Sequence, residues 1–278
     1  MIDRRAFSKG LLLLAGTAGT GFPAVTARAT ASKLAISCVV VIDARTGTIL
    51  HRDGPCERRF SPFSTFKVPI ALMGFDAGIL KTPYDPRWDY KDSFGAWRDR
   101  DKKAYDPAGW LRDSVVWYSQ ETTRKLGMDR FQSYVRQFGY GNEDVSGNPG
   151  KGDGLTRSWL LSSLAISPDE QALFVKRMLD QDLGLSERSY RMTRESMPAF
   201  SGEGGWRIHG KTGGGWLPGK DGKANRNRPQ GWFVGWAERG EQVVAFARLR
   251  VATAPSDRSP GMIAREEALA SLAQWAEN

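Results

Sequence analysis

The segments that read as β-strands sit at the two ends of this chain, and most of what lies between them reads as helix. Residues 34–43 (LAISCVVVID) form an apolar, β-branched run, residues 44–47 (ARTG) are turn formers, and residues 48–52 return as a second strand. A two-stranded ribbon is marginal in water, so these strands need partners. The partners come only after residue 204: residues 206–212, 231–238 and 242–252 carry the strand pattern, with Arg239-Gly240 as a tight turn between the last two. Helical patterns cover residues 60–80, 107–126 (stopped by Gly127), 129–138 (stopped by Gly139), 167–183, 186–197 and 263–276. Ser167-Pro168-Asp169-Glu170 has the capping-box pattern, with proline at the first helical position. The expected fold is therefore α+β. One antiparallel sheet is built from both chain ends and flanked by helices, with an all-helical lobe inserted. The boundaries are a sheet lobe of residues 30–75 and 204–278 and a helical lobe of residues 76–203. A small-molecule cleft is expected between them.

The net charge of +9 includes +3 from residues 1–29, where Arg4, Arg5, Lys9 and Arg28 stand against Asp3. No basic stretch is interleaved with stacking aromatics, so no nucleic-acid groove is expected. The most basic run, residues 220–228 (KDGKANRNR), reads as an exposed loop. Residues 1–29 read as a signal peptide: Arg4-Arg5, an apolar run opening at Leu11, and small residues at Ala27 and Ala29. The run is too short for a membrane span. The mature protein is expected in the periplasm or medium, with no stable membrane association. Arg4-Arg5-Ala6-Phe7-Ser8-Lys9 also resembles a twin-arginine signal, so two export routes stand open. Cys38 and Cys56 flank the first hairpin. A bridge and two free thiols both fit. With only His51 and His209 beside them, no metal site is expected.

Ser64-Thr65-Phe66-Lys67 is the one Ser-x-x-Lys in the chain. On a helix, Lys67 lies one turn beyond Ser64 and over the same face. Phe63, Phe66, Val68, Pro69 and Ile70 surround that lysine with apolar groups, which disfavour its charged form. A neutral lysine can take the proton of a serine hydroxyl. Lys211-Thr212-Gly213, followed by Gly214 and Gly215, ends a strand whose edge can bind a carboxylate and whose glycines admit close approach. Ser114-Val115-Val116 lies in the 107–126 helix, and Tyr140-Gly141-Asn142 in a loop. Taken singly, each has a plain structural meaning: an N-cap, a glycine turn, an inert helical serine, a loop. His209 is expected on the same side of its strand as Lys211, bordering the cleft. No Gly-x-Ser-x-Gly elbow supports a Ser-His-Asp triad.

Read together, Ser-Thr-Phe-Lys, Ser-x-Val, Tyr-Gly-Asn and Lys-Thr-Gly in this order resemble the class D β-lactamases, the oxacillinases. The resemblance spans the mature chain and includes residues 231–236 (GWFVGW). The class A pattern is not met: Ser114-Val115-Val116 stands where Ser-Asp-Asn would, and no Glu-x-x-Leu-Asn segment occurs. The resemblance implies hydrolysis of β-lactam antibiotics, penicillins and cephalosporins, conferring resistance. Ser64 would be the acylated nucleophile. Lys67 would be N-carboxylated by carbon dioxide, the carbamate serving as base in both half-reactions, with no other cofactor. Trp159 would hold the carbamate, and Val116 and Leu160 would line the pocket. Ser114 and Lys211 would relay a proton to the lactam nitrogen. Ser64 and Gly214 would donate the oxyanion N–H groups. Tyr140 and Gly213 would face substrate, while Thr212 and Arg265 would bind its carboxylate, with Arg250 and Arg258 near Arg265 in sequence. The competing readings are a penicillin-binding sensor domain, which shares these motifs and acylates without deacylating, and a DD-peptidase.

Overall fold

Period-two alternation along the strands divides the molecule into layers. The structure, a computed structural model, describes residues 34–277; the expected signal segment 1–29 lies outside the described residues. The strands are β1 (Leu34–Asp43), β2 (Ile49–Asp53), β3 (Ala199–Ser201), β4 (Arg207–Pro218), β5 (Ala224–Arg239) and β6 (Gln242–Ala252). They form one six-stranded sheet in the order β2-β1-β6-β5-β4-β3, and every neighbouring pair is antiparallel. The β1–β6 pairing, with Val41 opposite Phe246, joins the two chain ends.

On β6, Val244 and Phe246 point to one face, while Ala245, Ala247 and Leu249 point to the other. The first face is covered by α8 (Pro260–Glu277), whose buried Ala264, Ala268, Leu272 and Ala276 recur every fourth residue. Small side chains on that stripe let the helix lie close to the sheet. The second face carries the remaining helices: α1 (Lys67–Asp76), α2 (Pro107–Asp113), α3 (Val116–Leu126), α4 (Met128–Phe138), α5 (Gly154–Arg157), α6 (Pro168–Leu179) and α7 (Glu187–Ser196). Helix α1 is buried from Lys67 to Phe75, as befits a helix apolar on every side. Helix α6 starts with the expected capping box between Ser167 and Glu170. Sheet residues such as Val40 and Leu249 and helical residues such as Phe66 and Trp110 belong to one continuous core. Among the described residues no helix is long and apolar enough to cross a membrane.

Several expected boundaries shift. The 60–80 helix is a 3-10 turn at Phe63–Phe66 followed by the shorter α1. The 107–126 helix breaks in two because Ser114 adopts a left-handed conformation (φ 60°, ψ 43°) that caps α2, and extended Val115 starts α3. The sheet reaches back to Ala199 rather than starting after 204. The 220–228 run is only partly loop, since β5 begins at Ala224. Ladder hydrogen bonds come from the backbone, so a polar, charged stretch can extend a hairpin that its side chains do not announce. The cysteines are bridged: Cys38 and Cys56 form a disulfide with Cα atoms 5.6 Å apart and 18 residues of separation. A loop of that size stabilises the fold by about 3 kcal/mol.

Candidate active site

Ser64 lies in the 3-10 turn that feeds α1, next to Phe63 with φ 49°. A bulky residue at positive φ is strained, and tertiary contacts hold it there. The Phe63 N–H donates to the Trp159 carbonyl at 3.0 Å. Its ring occupies the space beside Gly215, where a Cβ would fall 2.2 Å from the ring. Gly213 is constrained in the same way, since a Cβ there would lie 2.8 Å from the Pro62 carbonyl oxygen. Two glycines after Lys211 thus admit the serine turn against β4. At Gly213 the missing side chain makes room for the turn itself.

Lys67 Nζ donates to Ser64 Oγ at 3.1 Å. Its side chain has no exposed surface, and burial is the main reason its pKa falls well below the ordinary lysine value. The positive charges of Lys211 and Arg98 lower it further, and Asp101 opposes them. Lys211 is likewise buried, donating to Ser114 Oγ at 2.9 Å and to the Thr212 carbonyl at 3.0 Å. Burial first, then Arg98 and Arg265, bring its pKa down to about 7. The left-handed Ser114 projects from the α2–α3 junction toward β4 only because the expected single helix is broken there. The site therefore pairs two serines with two buried lysines. Trp159 is fully buried against Phe66, ring centroids 5.5 Å apart, and its indole Nε1 has no hydrogen-bond partner among the described residues. Buried donors are nearly always satisfied, so this one is available to a group absent from the polypeptide.

The chain matches the penicillin binding protein transpeptidase domain family over residues 37–270. It is 50% identical to β-lactamase OXA-9 of Klebsiella pneumoniae over 238 residues, covering 85% of this chain and 87% of that one. The chain belongs to the oxacillinase-type class D serine β-lactamases. The OXA-427 class D β-lactamase superposes with a TM-score of 0.80 at 40% identity, covering 86% of this chain and 97% of that one. The same fold serves the C-terminal domain of the Bacillus licheniformis BlaR penicillin receptor, with a TM-score of 0.70 at 25% identity, covering 87% of this chain and 90% of that one.

For a class D enzyme the remaining candidates are placed unevenly. Val116 opens α3 and Leu160 follows Trp159, both half-buried. Thr212 is half-buried, and Gly214 is exposed on the α8 side of β4, where a Cβ would lie 3.4 Å from the Gly261 nitrogen. Arg265 on α8 lies over the Phe200 ring at 4.8 Å, and among the described residues no carboxylate pairs with it. Arg250 pairs with Glu267 at 3.1 Å and Arg258 with Glu266, so of these three arginines Arg265 is the one without an acidic partner among the described residues. Tyr140 is the clearest correction. It is fully buried, so it does not face substrate. Its hydroxyl donates to Gln171 Oε1 at 3.2 Å, Gln171 donates to Thr65 Oγ1 at 2.8 Å, and Thr65 donates to the Pro62 carbonyl at 2.7 Å. This chain braces the Ser64 turn from behind. His209 shares a strand face with Lys211 but stacks flat on Trp236 at 4.7 Å. It lines a separate cavity of about 650 Å³ with Arg194 and Arg207.

Ser61 went unnoticed in the sequence. Its hydroxyl donates to the Trp159 carbonyl and accepts from the Leu161 N–H, each at 3.0 Å. Its carbonyl accepts from Gln230 Nε2 at 2.8 Å and Trp232 Nε1 at 3.0 Å. Ser61 thus ties the Trp159 segment and β5 to the turn that carries Ser64. No local pattern marks it, since its partners lie 98 or more residues away.

Proposed function

We propose that this class D enzyme hydrolyses penicillins and cephalosporins through an acyl-enzyme on Ser64, with N-carboxylated Lys67 as base in both half-reactions, and so confers β-lactam resistance. The observation that carries the reading is Lys67. It is an amine with no exposed surface, held 3.1 Å from Ser64 Oγ, and driven by burial toward the neutral form. Only a neutral amine adds carbon dioxide. The Trp159 Nε1–H, without a partner among the described residues, fits an acceptor on that lysine. When present, the carbamate supplies an oxygen base for the serine proton and then for the hydrolytic water.

The polypeptide does the rest. Ser64 Oγ attacks the lactam carbonyl, and the N–H groups of Ser64 and Gly214 bind the developing oxyanion. The Ser114–Lys211 pair, poised near neutral protonation by the pKa of about 7 on Lys211, passes a proton to the departing lactam nitrogen. Thr212 and Arg265 hold the substrate carboxylate. Val116 and Leu160 limit water at the acyl bond. Export of the mature enzyme to the periplasm or medium is part of the same proposal, and the Cys38–Cys56 disulfide suits an oxidising compartment.

The test is a stopped-flow progress curve with a chromogenic cephalosporin, with and without bicarbonate, for wild type and Ser64→Ala. Sustained turnover that bicarbonate enhances and Ser64→Ala abolishes is the expected result. A single stoichiometric burst that bicarbonate does not extend would replace this reading with a penicillin-sensing one.

A further inference from the structure

The catalytic pairs rest on a segment that carries none of the signature motifs. A 3-10 turn at Asp99–Asp101 is tied to the α2–α3 junction by hydrogen bonds. Arg98 donates twice to the Asp101 carboxylate, at 2.8 and 3.1 Å, and once to the Asp113 carbonyl at 2.9 Å. Asp113 is the last residue of α2, and its peptide leads into left-handed Ser114. The guanidinium therefore satisfies a carbonyl at the helix C-terminus, where a cation is favoured. Trp117 on α3 donates its indole N–H to the Asp101 carbonyl at 2.9 Å. Asp101 is almost fully buried, which is costly for a carboxylate unless it is paired.

We propose that the Arg98–Asp101 ion pair is a positioning element of the active site, which clamps the peptide entering Ser114 so that its hydroxyl meets Lys211, and which sets the electric field on both active-site lysines. The proposal rests on the reading of Ser64 and Lys67 given above. The clamp follows from the hydrogen bonds. The field follows from contact and charge sign: Arg98 bonds the carbonyl that leads into Ser114, whose hydroxyl accepts from Lys211 Nζ. The Arg98 charge disfavours protonation of both Lys67 and Lys211, and the Asp101 charge favours protonation of Lys67. The other charged groups acting on these lysines are Lys211 upon Lys67 and Arg265 upon Lys211. Arg98 and Asp101 thus push Lys67 in opposite directions, so neutralising one or the other is expected to move its protonation in opposite senses.

The experiment measures kcat/KM against pH at fixed bicarbonate, with a chromogenic cephalosporin, for wild type, Arg98→Gln, Arg98→Lys and Asp101→Asn. Thermal melts run in parallel. The acid limb reports loss of the neutral state of Lys67. Arg98→Gln leaves the Asp101 charge unbalanced, so the limb moves to higher pH. Asp101→Asn leaves the Arg98 charge unbalanced, so the limb moves to lower pH. Arg98→Lys keeps the charge and loses the fork, so the limb stays in place while kcat falls about tenfold, the loss of one hydrogen bond to a charged group. Limbs that do not move, or that move in the same direction in both neutralised variants, overturn the proposal. If Arg98→Gln does not fold, Asp101→Asn decides alone: a shift to lower pH supports the field, and no shift overturns it. Ser64→Ala is measured alongside. Turnover that survives in it removes the site reading itself, independently of what the Arg98 variants do.

Discussion

Gly215→Ala tests how tightly the nucleophile's geometry depends on β4. A Cβ at residue 215 would stand 2.2 Å from Phe63 Cζ, 2.3 Å from Cε1 and 2.8 Å from Cε2, where ordinary contact begins at 3.4 Å. The ring must retreat by the difference, about 1.2 Å at its closest atom. Phe63 is only 7% exposed and already strained at φ 49°, so the displacement passes to the adjacent Ser64. Overpacking of this kind costs about 1–3 kcal/mol of stability. At about 2–4 °C per kcal/mol for a domain of this size, Tm falls by several degrees. A misplacement of about 1 Å at a reacting group costs about 10²-fold in rate. The assay is kcat/KM for a chromogenic cephalosporin beside a circular-dichroism melt. The double variant Gly215→Ala/Phe63→Leu, with a smaller side chain at 63, recovers part of the lost stability because the two sites share one space. A Gly215→Ala enzyme within twofold of wild type in kcat/KM and unchanged in Tm would falsify the steric argument.

Trp159→Phe keeps an aromatic ring against Phe66 and removes the Nε1–H that has no partner among the described residues. Burst kinetics are expected to show near-normal acylation with slowed deacylation and a higher bicarbonate requirement, and unaltered turnover would remove the indole from the mechanism. Lys211 titrates at about 7 when folded against 10.5 unfolded, so between those values the unfolded chain binds the extra proton. Its contribution to stability is complete above pH 10.5 and is lost as pH falls through 7. Lys211→Met should flatten the rise of Tm across that window, and an unchanged slope would contradict the burial of this lysine. Arg265→Ala is expected to raise KM about ten- to a hundredfold, the loss of a charge-assisted hydrogen bond, with little change in Tm. Arg250→Ala instead breaks the buried pair with Glu267 and should lower Tm; the reverse pattern would reassign the carboxylate-binding arginine.

The sheet was legible because its signal is local and repeated. Alternation along residues 34–43, 231–238 and 242–252 marks strands, and neither end can bury its apolar face without the other. The Ser64–Lys67 pair was legible for a similar reason: a spacing of three residues on a helical turn brings the two side chains onto one face whatever surrounds them. The disulfide, the break at Ser114 and the start of the sheet at Ala199 were not legible, since each depends on a partner remote in sequence. Tyr140 shows the limit most plainly. Its motif suggested a substrate contact, and only the packing of Phe66, Phe174 and Gln171 around it shows that its hydroxyl points into the core.

The amino-acid order alone determined that both chain ends build one antiparallel sheet and that a serine and a lysine meet at the head of a buried helix, because periodicity and short spacing are properties of neighbouring residues. Tertiary structure alone decided that Lys211 is buried as well as Lys67, which of three nearby arginines is left without a carboxylate among the described residues, and which glycines make room for Phe63 and Pro62. Desolvation and steric exclusion arise only when distant segments pack together.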